Sequence, residues 1–203
     1  SGTLLLQGSG AVTQTAAVSA TTLSLQGSGT FTLNNSNNEV QTLTAGTSTQ
    51  TTGNISYTNK DALAIGDGSN GVLSTGTISI GTLSGNLTLS ETIGTTNDSD
   101  SAIKLFADMD TAAPNLGNGN IIISGTPTLT TNGGRVSLFS GKPSSSGGLV
   151  NLVGEENVRI GVDSSTTSIS FEPALNAGAY ALFRTGPIIT FTENFKSFAI
   201  SSD

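Results

Sequence analysis

The feature that most constrains this chain is a pentapeptide that comes back. Leu6-Gln7-Gly8-Ser9-Gly10 recurs as Leu25-Gln26-Gly27-Ser28-Gly29, nineteen positions on, and the strands before it, Leu4–Leu6 and Leu23–Leu25, repeat in the same register. A return at about 20 residues is the mark of a solenoid, in which each coil buries an apolar column only by stacking on its neighbour. Softer echoes open other strands at Gly53-Asn54-Ile55, Gly85-Asn86-Leu87 and Gly119-Asn120-Ile121.

Most of the chain reads as short alternation broken by Gly or Asn. Thr3–Gln7, Thr22–Gln26, Thr30–Leu33, Asn54–Thr58, Thr77–Ile80 and Asn86–Ser90 each carry two or three apolar residues at period two. Asn120–Ser124, Arg135–Phe139, Val158–Val162 and Ser168–Phe171 continue the pattern. Runs this short suit one side of a coil better than a sandwich strand. The fold expected is therefore all-β, a right-handed parallel β-helix of roughly nine or ten coils, a rod on the order of 45 Å long at the spacing of stacked strands. A Greek-key β-sandwich with strands every 8–12 residues is the alternative.

Composition enters as a check on that fold. Hydrophobic residues make up 34% and charged residues 10%. That is little for a globular core, but enough for coils that bury one or two side chains per strand. Gly (26), Thr (31), Ser (28) and Asn (17) supply corners and solvated outward positions. Helical patterning is confined to 98–113 (DSDSAIKLFADMDTAA), expected as a short helical turn or an acidic loop inserted in the coils, and to a weaker stretch, 173–182. Residues 1–172 are thus read as coils, and 173–203, where Phe183, Phe191, Phe195 and Phe198 cluster, as a cap or as further coils. A solenoid end exposes an open sheet edge that needs one or the other.

The net charge of −7 argues against nucleic acid or an anionic membrane as partner. No apolar run approaches the roughly 20 residues of a membrane helix. With no Cys, disulfides and thiolate chemistry are excluded. The chain opens at Ser1 without Met or a leader pattern, so a processed form or an excised piece is expected.

The stretch from Thr3 to about Val162 resembles the repeat regions of filamentous-haemagglutinin-like exoproteins of Gram-negative bacteria. The likeness lies in TLLLQGSGAVTQTAAVSATTLSLQGSGTFTLNNSNNEVQTLTAG, in GNISYTNKDALAIG and in GNIIISGTPTLTTNGGRVSLFSG. It implies a parallel β-helix exported through an outer-membrane partner, with a role in adhesion or surface architecture. The expected partners are then other copies, surface proteins or glycans, and the expected location is extracellular.

Catalytic constellations are scarce. Absence of His and Cys removes the common triads, so no enzyme, catalytic residue, metal or cofactor is expected. Paired carboxylates are the route left open, as in carbohydrate-active β-helices. The candidates are Glu39, Asp61, Asp67, Glu91, Asp98, Asp100, Asp108, Asp110, Glu155, Glu156, Asp163, Glu172, Glu193 and Asp203, most in predicted corners where they read as solvated turn residues. Asn97-Asp98-Ser99-Asp100 with Asp108 and Asp110 holds enough oxygen for calcium but lacks a loop signature, and reads better as an exposed acidic loop. Gly8-Ser9-Gly10, Gly27-Ser28-Gly29 and Gly133-Gly134 precede no helix and read as corners, not phosphate cradles. Thr-x-Thr pairs begin at Thr13, Thr30, Thr42, Thr47 and Thr128, the short motif of ice-binding solenoids, but at irregular intervals of 17, 12, 5 and 81 residues.

Overall fold

The computed structural model describes residues 2–115, 117–163 and 175–186. It is a β-solenoid in which every pairing between named strands is parallel. The first rung is Thr3–Gln7 (β1) and Ala11–Thr13 (β2); the second is Ser19–Gln26 (β3) and Thr30–Leu33 (β4). The third is Glu39–Ala45 (β5) and Ile55–Asn59 (β6), the fourth Leu63–Ile65 (β7), Val72–Ser74 (β8) and Ile78–Thr82 (β9). The fifth is Leu87–Leu89 (β10), Ile93–Thr95 (β11) and Ile103–Phe106 (β12), the sixth Ile121–Ile123 (β13), Leu129–Thr130 (β14) and Arg135–Ser140 (β15). A short helix, Leu149–Val153 (α1), then precedes Val158–Ile160 (β16) and Gly178–Phe183 (β17).

One sheet runs β2-β4-β6-β9-β12-β15-β17-β16. The other begins β1-β3-β5 and forks at β5. Thr42 and Leu43 pair with β7, whereas Ala45 pairs with Val72 of β8. From there β7-β10-β13 and β8-β11-β14 form two separate sides, and the cross-section has three sides instead of two.

The nineteen-residue return is the pairing register itself: Leu4 lies on Leu23, Leu6 on Leu25 and Gln7 on Gln26. Stacking like on like builds columns through the core. One runs Val12, Phe31, Ile55, Ile78, Ile103, Val136, Ala179. Another runs Leu33, Tyr57, Ile80, Leu105, Leu138, Ala181. All of these but Val12 and Ala179 are buried, so two residues per strand fill the interior and 34% hydrophobics suffice.

The glycine of the repeat has a steric cause. Gly29 N donates to Gly8 O (2.9 Å) and Gly53 N to Gly29 O (3.0 Å), so backbone lies on backbone at this corner. A Cβ on Gly29 would stand 2.2 Å from Gly10 O. Polar side chains close the other corners from inside. Ser74 Oγ donates to Gly53 O (2.6 Å), and Thr52 Oγ to Leu73 O (3.1 Å). Asn59 accepts from Val40 N (2.9 Å) and the Tyr57 hydroxyl (2.8 Å), and donates to Val40 O and Asp61 O. Buried without such partners, these groups would oppose folding; paired, they fix where each coil turns.

Four sequence expectations change. The coils number about seven, not nine or ten, because later turns carry loops. Leu87 pairs with Ile121 thirty-four positions on, against nineteen between Leu4 and Leu23. The stretch 98–113 holds no helix but strand β12 and a loop, because Ile103 and Leu105 stack between Ile78–Ile80 and Val136–Leu138. Likewise 173–182 shows no helix among its described residues, and from Gly178 on it is strand, lying in β17 beside β15. Finally, Gly53-Asn54-Ile55 does not stack with its two echoes. Ile55 lies on the β4 sheet, whereas Leu87 and Ile121 pair on the other, where Asn86 Oδ1 accepts from Asn120 N (2.9 Å). Ser168–Phe171 lies outside the described residues, as do Phe191, Phe195 and Phe198.

Candidate functional site

Outward positions of β1, β3 and β5 form a polar shelf. Register places Thr3, Thr22 and Thr42 in one column and Leu5, Ser24 and Thr44 in the next. Gln7 and Gln26 follow in a third. Strand spacing puts successive members about 4.8 Å apart. The shelf exists because these strands alternate, sending Leu23, Leu25 and Leu43 inward and, at every outward position named except Leu5, a hydroxyl or amide outward.

Two turns overhang it. Gly46, at φ 64, starts a turn closed by Thr47 N to Gln50 O (2.7 Å) and Gln50 N to Thr47 O (3.2 Å). In the second, the Asp67 carboxylate accepts from Asn70 N (2.7 Å) and Ser69 N (3.0 Å). The Asn70 amide, with that of Ser69, holds the Asp67 pKa below its ordinary value despite the opposing effect of desolvation, keeping it anionic. The recess is lined by Thr3, Thr22, Ser24, Gln26, Thr44, Thr47, Asp67 and Asn70. Hydroxyls and amides both donate and accept, so this lining suits a polyhydroxylated ligand or ordered water.

A second groove, around Ser19, Thr21, Glu39, Gln41 and Asp61, brings two candidate carboxylates to one lining. Lys60 Nζ lies 3.7 Å from the exposed Asp61 carboxylate. The other candidates are dispersed. Asp98, Asp100, Asp110, Glu155 and Glu156 are exposed, Asp100 standing 3.8 Å from Arg135; Glu172, Glu193 and Asp203 lie outside the described residues. Glu91 packs its stem near Gly66.

Asp108 and Asp163 depart from the expectation of solvated turn residues. Both are buried. Asp108 Oδ2 accepts from Asn118 N (2.7 Å) and the Thr111 hydroxyl (3.0 Å), and Asp163 Oδ2 from Ala113 N (2.6 Å). Arg184 Nη2 reaches Asp108 Oδ2 at 3.6 Å, and the guanidinium donates to Ala107 O (2.7 Å) and Gly119 O (2.9 Å). Burial lowers the Arg184 pKa, and Asp108 and Asp163 push it back up. The cluster folds the 107–119 loop onto the end of β17. The calcium candidate is therefore split, with Asp108 turned inward while Asn97 accepts from Ser99 N (3.0 Å) in an exposed turn. Among the described residues no three His, Cys, Asp or Glu gather as metal ligands.

The Thr-x-Thr pairs scatter. Thr30 and Thr32 stand on β4, Thr42 and Thr44 on β5, Thr130 on β14, and Thr47 and Thr49 in a turn, their hydroxyls 3.2 Å apart. The hydroxyl columns run across strands, through single Thr and Ser residues that no linear motif marks. Sequence reading missed the shelf for that reason, and missed the buried Asn38, Asn59 and Arg184 because polarity alone suggests exposure. The available signal was Asp67-Gly68-Ser69-Asn70, a turn sequence whose overhang depends on the coil beneath. No helix among the described residues is long and apolar enough to cross a membrane. Comparison of the chain with protein-family models, with curated proteins and with solved structures returns no match.

Proposed function

We propose that this chain is a non-enzymatic, adhesive segment of an exported bacterial surface protein, which holds a rigid polar shelf against glycans of another surface. The observation that carries the reading is the shelf itself: columns of Thr, Ser and Gln on strands β1, β3 and β5, overhung by the Asp67–Asn70 turn. A backbone-locked face loses little conformational entropy when it engages a hydroxylated ligand. The sequence likeness to filamentous-haemagglutinin-like repeats points the same way and supplies the exported, cell-surface setting.

Binding of the purified chain to an array of neutral and acidic glycans tests this. Neutral glycans are expected to be retained, and the double variant Ser24→Lys/Asn70→Ala to lose at least tenfold in affinity while keeping its β spectrum. Equal retention by the variant, or no glycan retained at all, would remove the adhesive reading. The groove holding Glu39 and Asp61 favours a second reading, cleavage of a polysaccharide by paired carboxylates. Release of reducing ends from a polysaccharide panel, abolished by Glu39→Gln, would replace adhesion with catalysis.

A further inference from the structure

The chain contains three Asn-Gly steps, Asn70-Gly71, Asn118-Gly119 and Asn132-Gly133. Such a step is chemically reactive, because glycine places no Cβ between its own amide nitrogen and the side-chain carbonyl carbon of the asparagine before it. Attack on that carbon needs the nitrogen unengaged, since an N–H held in a hydrogen bond must first be released.

The fold locks one step and leaves two open. Gly119 is buried, and its N–H and that of Asn118 both donate to Asp108 Oδ2 (3.3 and 2.7 Å). Among the described residues the N–H groups of Gly71 and Gly133 donate no hydrogen bond, and Asn70 and Asn132 are exposed.

The two open steps differ in why their glycine is there. Ala45 N donates to Gly71 O (3.0 Å) and Val72 N to Thr92 O (3.0 Å), so Gly71 is wedged between stacked coils. A Cβ on Gly71 would overlap Thr92 O, whereas a Cβ on Gly133 would meet nothing within 4 Å. Coil packing therefore fixes glycine at 71. The turn before it holds Asn70 on the recess lining, its N–H donating to the Asp67 carboxylate (2.7 Å).

From these contacts we propose that Asn70 is a self-modification site that gives the shelf a second carboxylate. The Gly71 nitrogen bonds to Asn70 Cγ and gives up its proton while the Cγ–Nδ2 bond breaks, and the side-chain nitrogen leaves as ammonia. Water then adds to one carbonyl of the resulting five-membered imide and opens the ring. Opening at the side-chain carbonyl leaves aspartate, and opening at the main-chain carbonyl leaves isoaspartate. Neither step oxidises or reduces anything. Both products place a carboxylate in the turn that already carries Asp67, and the recess lining holds no cation to offset the pair. The conversion stands on this local chemistry alone; its effect on a ligand rests on the adhesive reading.

Incubation of the folded protein at mildly alkaline pH, with peptide mapping of acid in place of amide, tests this. Asn70 is expected to convert at least tenfold faster than Asn118, the equivalent of one hydrogen bond to a charged group. In guanidinium, where the Asp108 contacts are gone, the three steps are expected to convert at similar rates. Conversion of Asn70 no faster than Asn118 in the folded protein overturns the proposal. A second arm compares glycan retention before and after incubation. Retention of a neutral glycan is expected to fall in step with conversion of Asn70. Asn70→Gln, which keeps an amide but closes the ring poorly, is expected to hold its retention although Asn132 still converts. An equal fall in Asn70→Gln overturns the assignment to Asn70. Fresh protein that retains no glycan removes the adhesive reading instead, and the peptide map alone then decides the conversion.

Discussion

The first five rungs and the last two are built by different means. Between Thr3 and Phe106 successive strands of the unforked sheet recur every 19 to 25 residues, as from Val12 to Phe31 and from Ile78 to Ile103. Corners there are closed by single buried Asn, Thr or Ser residues. Beyond Phe106 the step grows to 33 residues from Ile103 to Val136 and to 43 from Val136 to Ala179. The extra chain becomes the 107–119 loop, α1 and β16, and β17 enters between β15 and β16 out of sequence order. A short coil needs only a side chain that satisfies its own turn. A long one leaves backbone to be anchored, and here charge does it, through Asp108, Asp163 and Arg184.

That contrast is broken most directly at Arg184. Arg184→Ala leaves the Asp108 carboxylate buried without its cation, which costs about 3–5 kcal/mol. Since each rung of a solenoid contacts only its neighbours, the loss is expected to stay local. Amide exchange should rise at β15 and β17 and leave β4 and β6 protected; uniform loss along the chain would mean that the two regions unfold as one.

The matching test among the short coils is Asn59→Ala. It strips partners from Val40 N, Val40 O and the Tyr57 hydroxyl, at a cost of about 2–4 kcal/mol. Urea unfolding followed by the Tyr57 signal measures it, and rungs three and four should open first.

Both positions bear on what the sequence could disclose. The register of the first two rungs was legible because Leu6–Gly10 and Leu25–Gly29 stack directly, so sequence distance equals coil length. The coil count was not, since an insertion changes the step without changing the strand pattern. Nor was β12, where the helical spacing of Ile103, Phe106 and Ala107 competes with an alternation that only the neighbouring rungs reward. The shelf was hidden because its columns join residues from three coils, and the alternate positions Thr22 and Ser24 look like ordinary solvated strand positions until Asp67 and Asn70 hang over them.

Smaller effects follow from titration. Burial raises the Tyr57 phenol above its ordinary value, so it stays protonated in the fold. The unfolded phenol ionises near pH 10, so this contribution is intact below that pH and is lost as pH rises beyond it. Thermal unfolding between pH 8 and 11 should show an alkaline decline that Tyr57→Phe flattens. The smallest effect belongs to Asp67, whose pKa the Asn70 and Ser69 amides depress. Its contribution is present above the ordinary carboxylate value and disappears as pH falls through the depressed one. Asp67→Asn should remove that acid limb and little else, as read by thermal unfolding between pH 2 and 5.

The parallel stack underlies the shelf and the two-region contrast alike, and one distance tests it. Thr13, Thr32, Ser56, Ser79 and Lys104 form a single outward column, four strand steps from end to end. The chain has no cysteine, so spin labels attach only where one is introduced. Labels on Thr13→Cys and Lys104→Cys should report a narrow distribution centred near 19 Å, four spacings of about 4.8 Å. A broad distribution, or a mean beyond roughly 30 Å, would contradict the stacked-coil register.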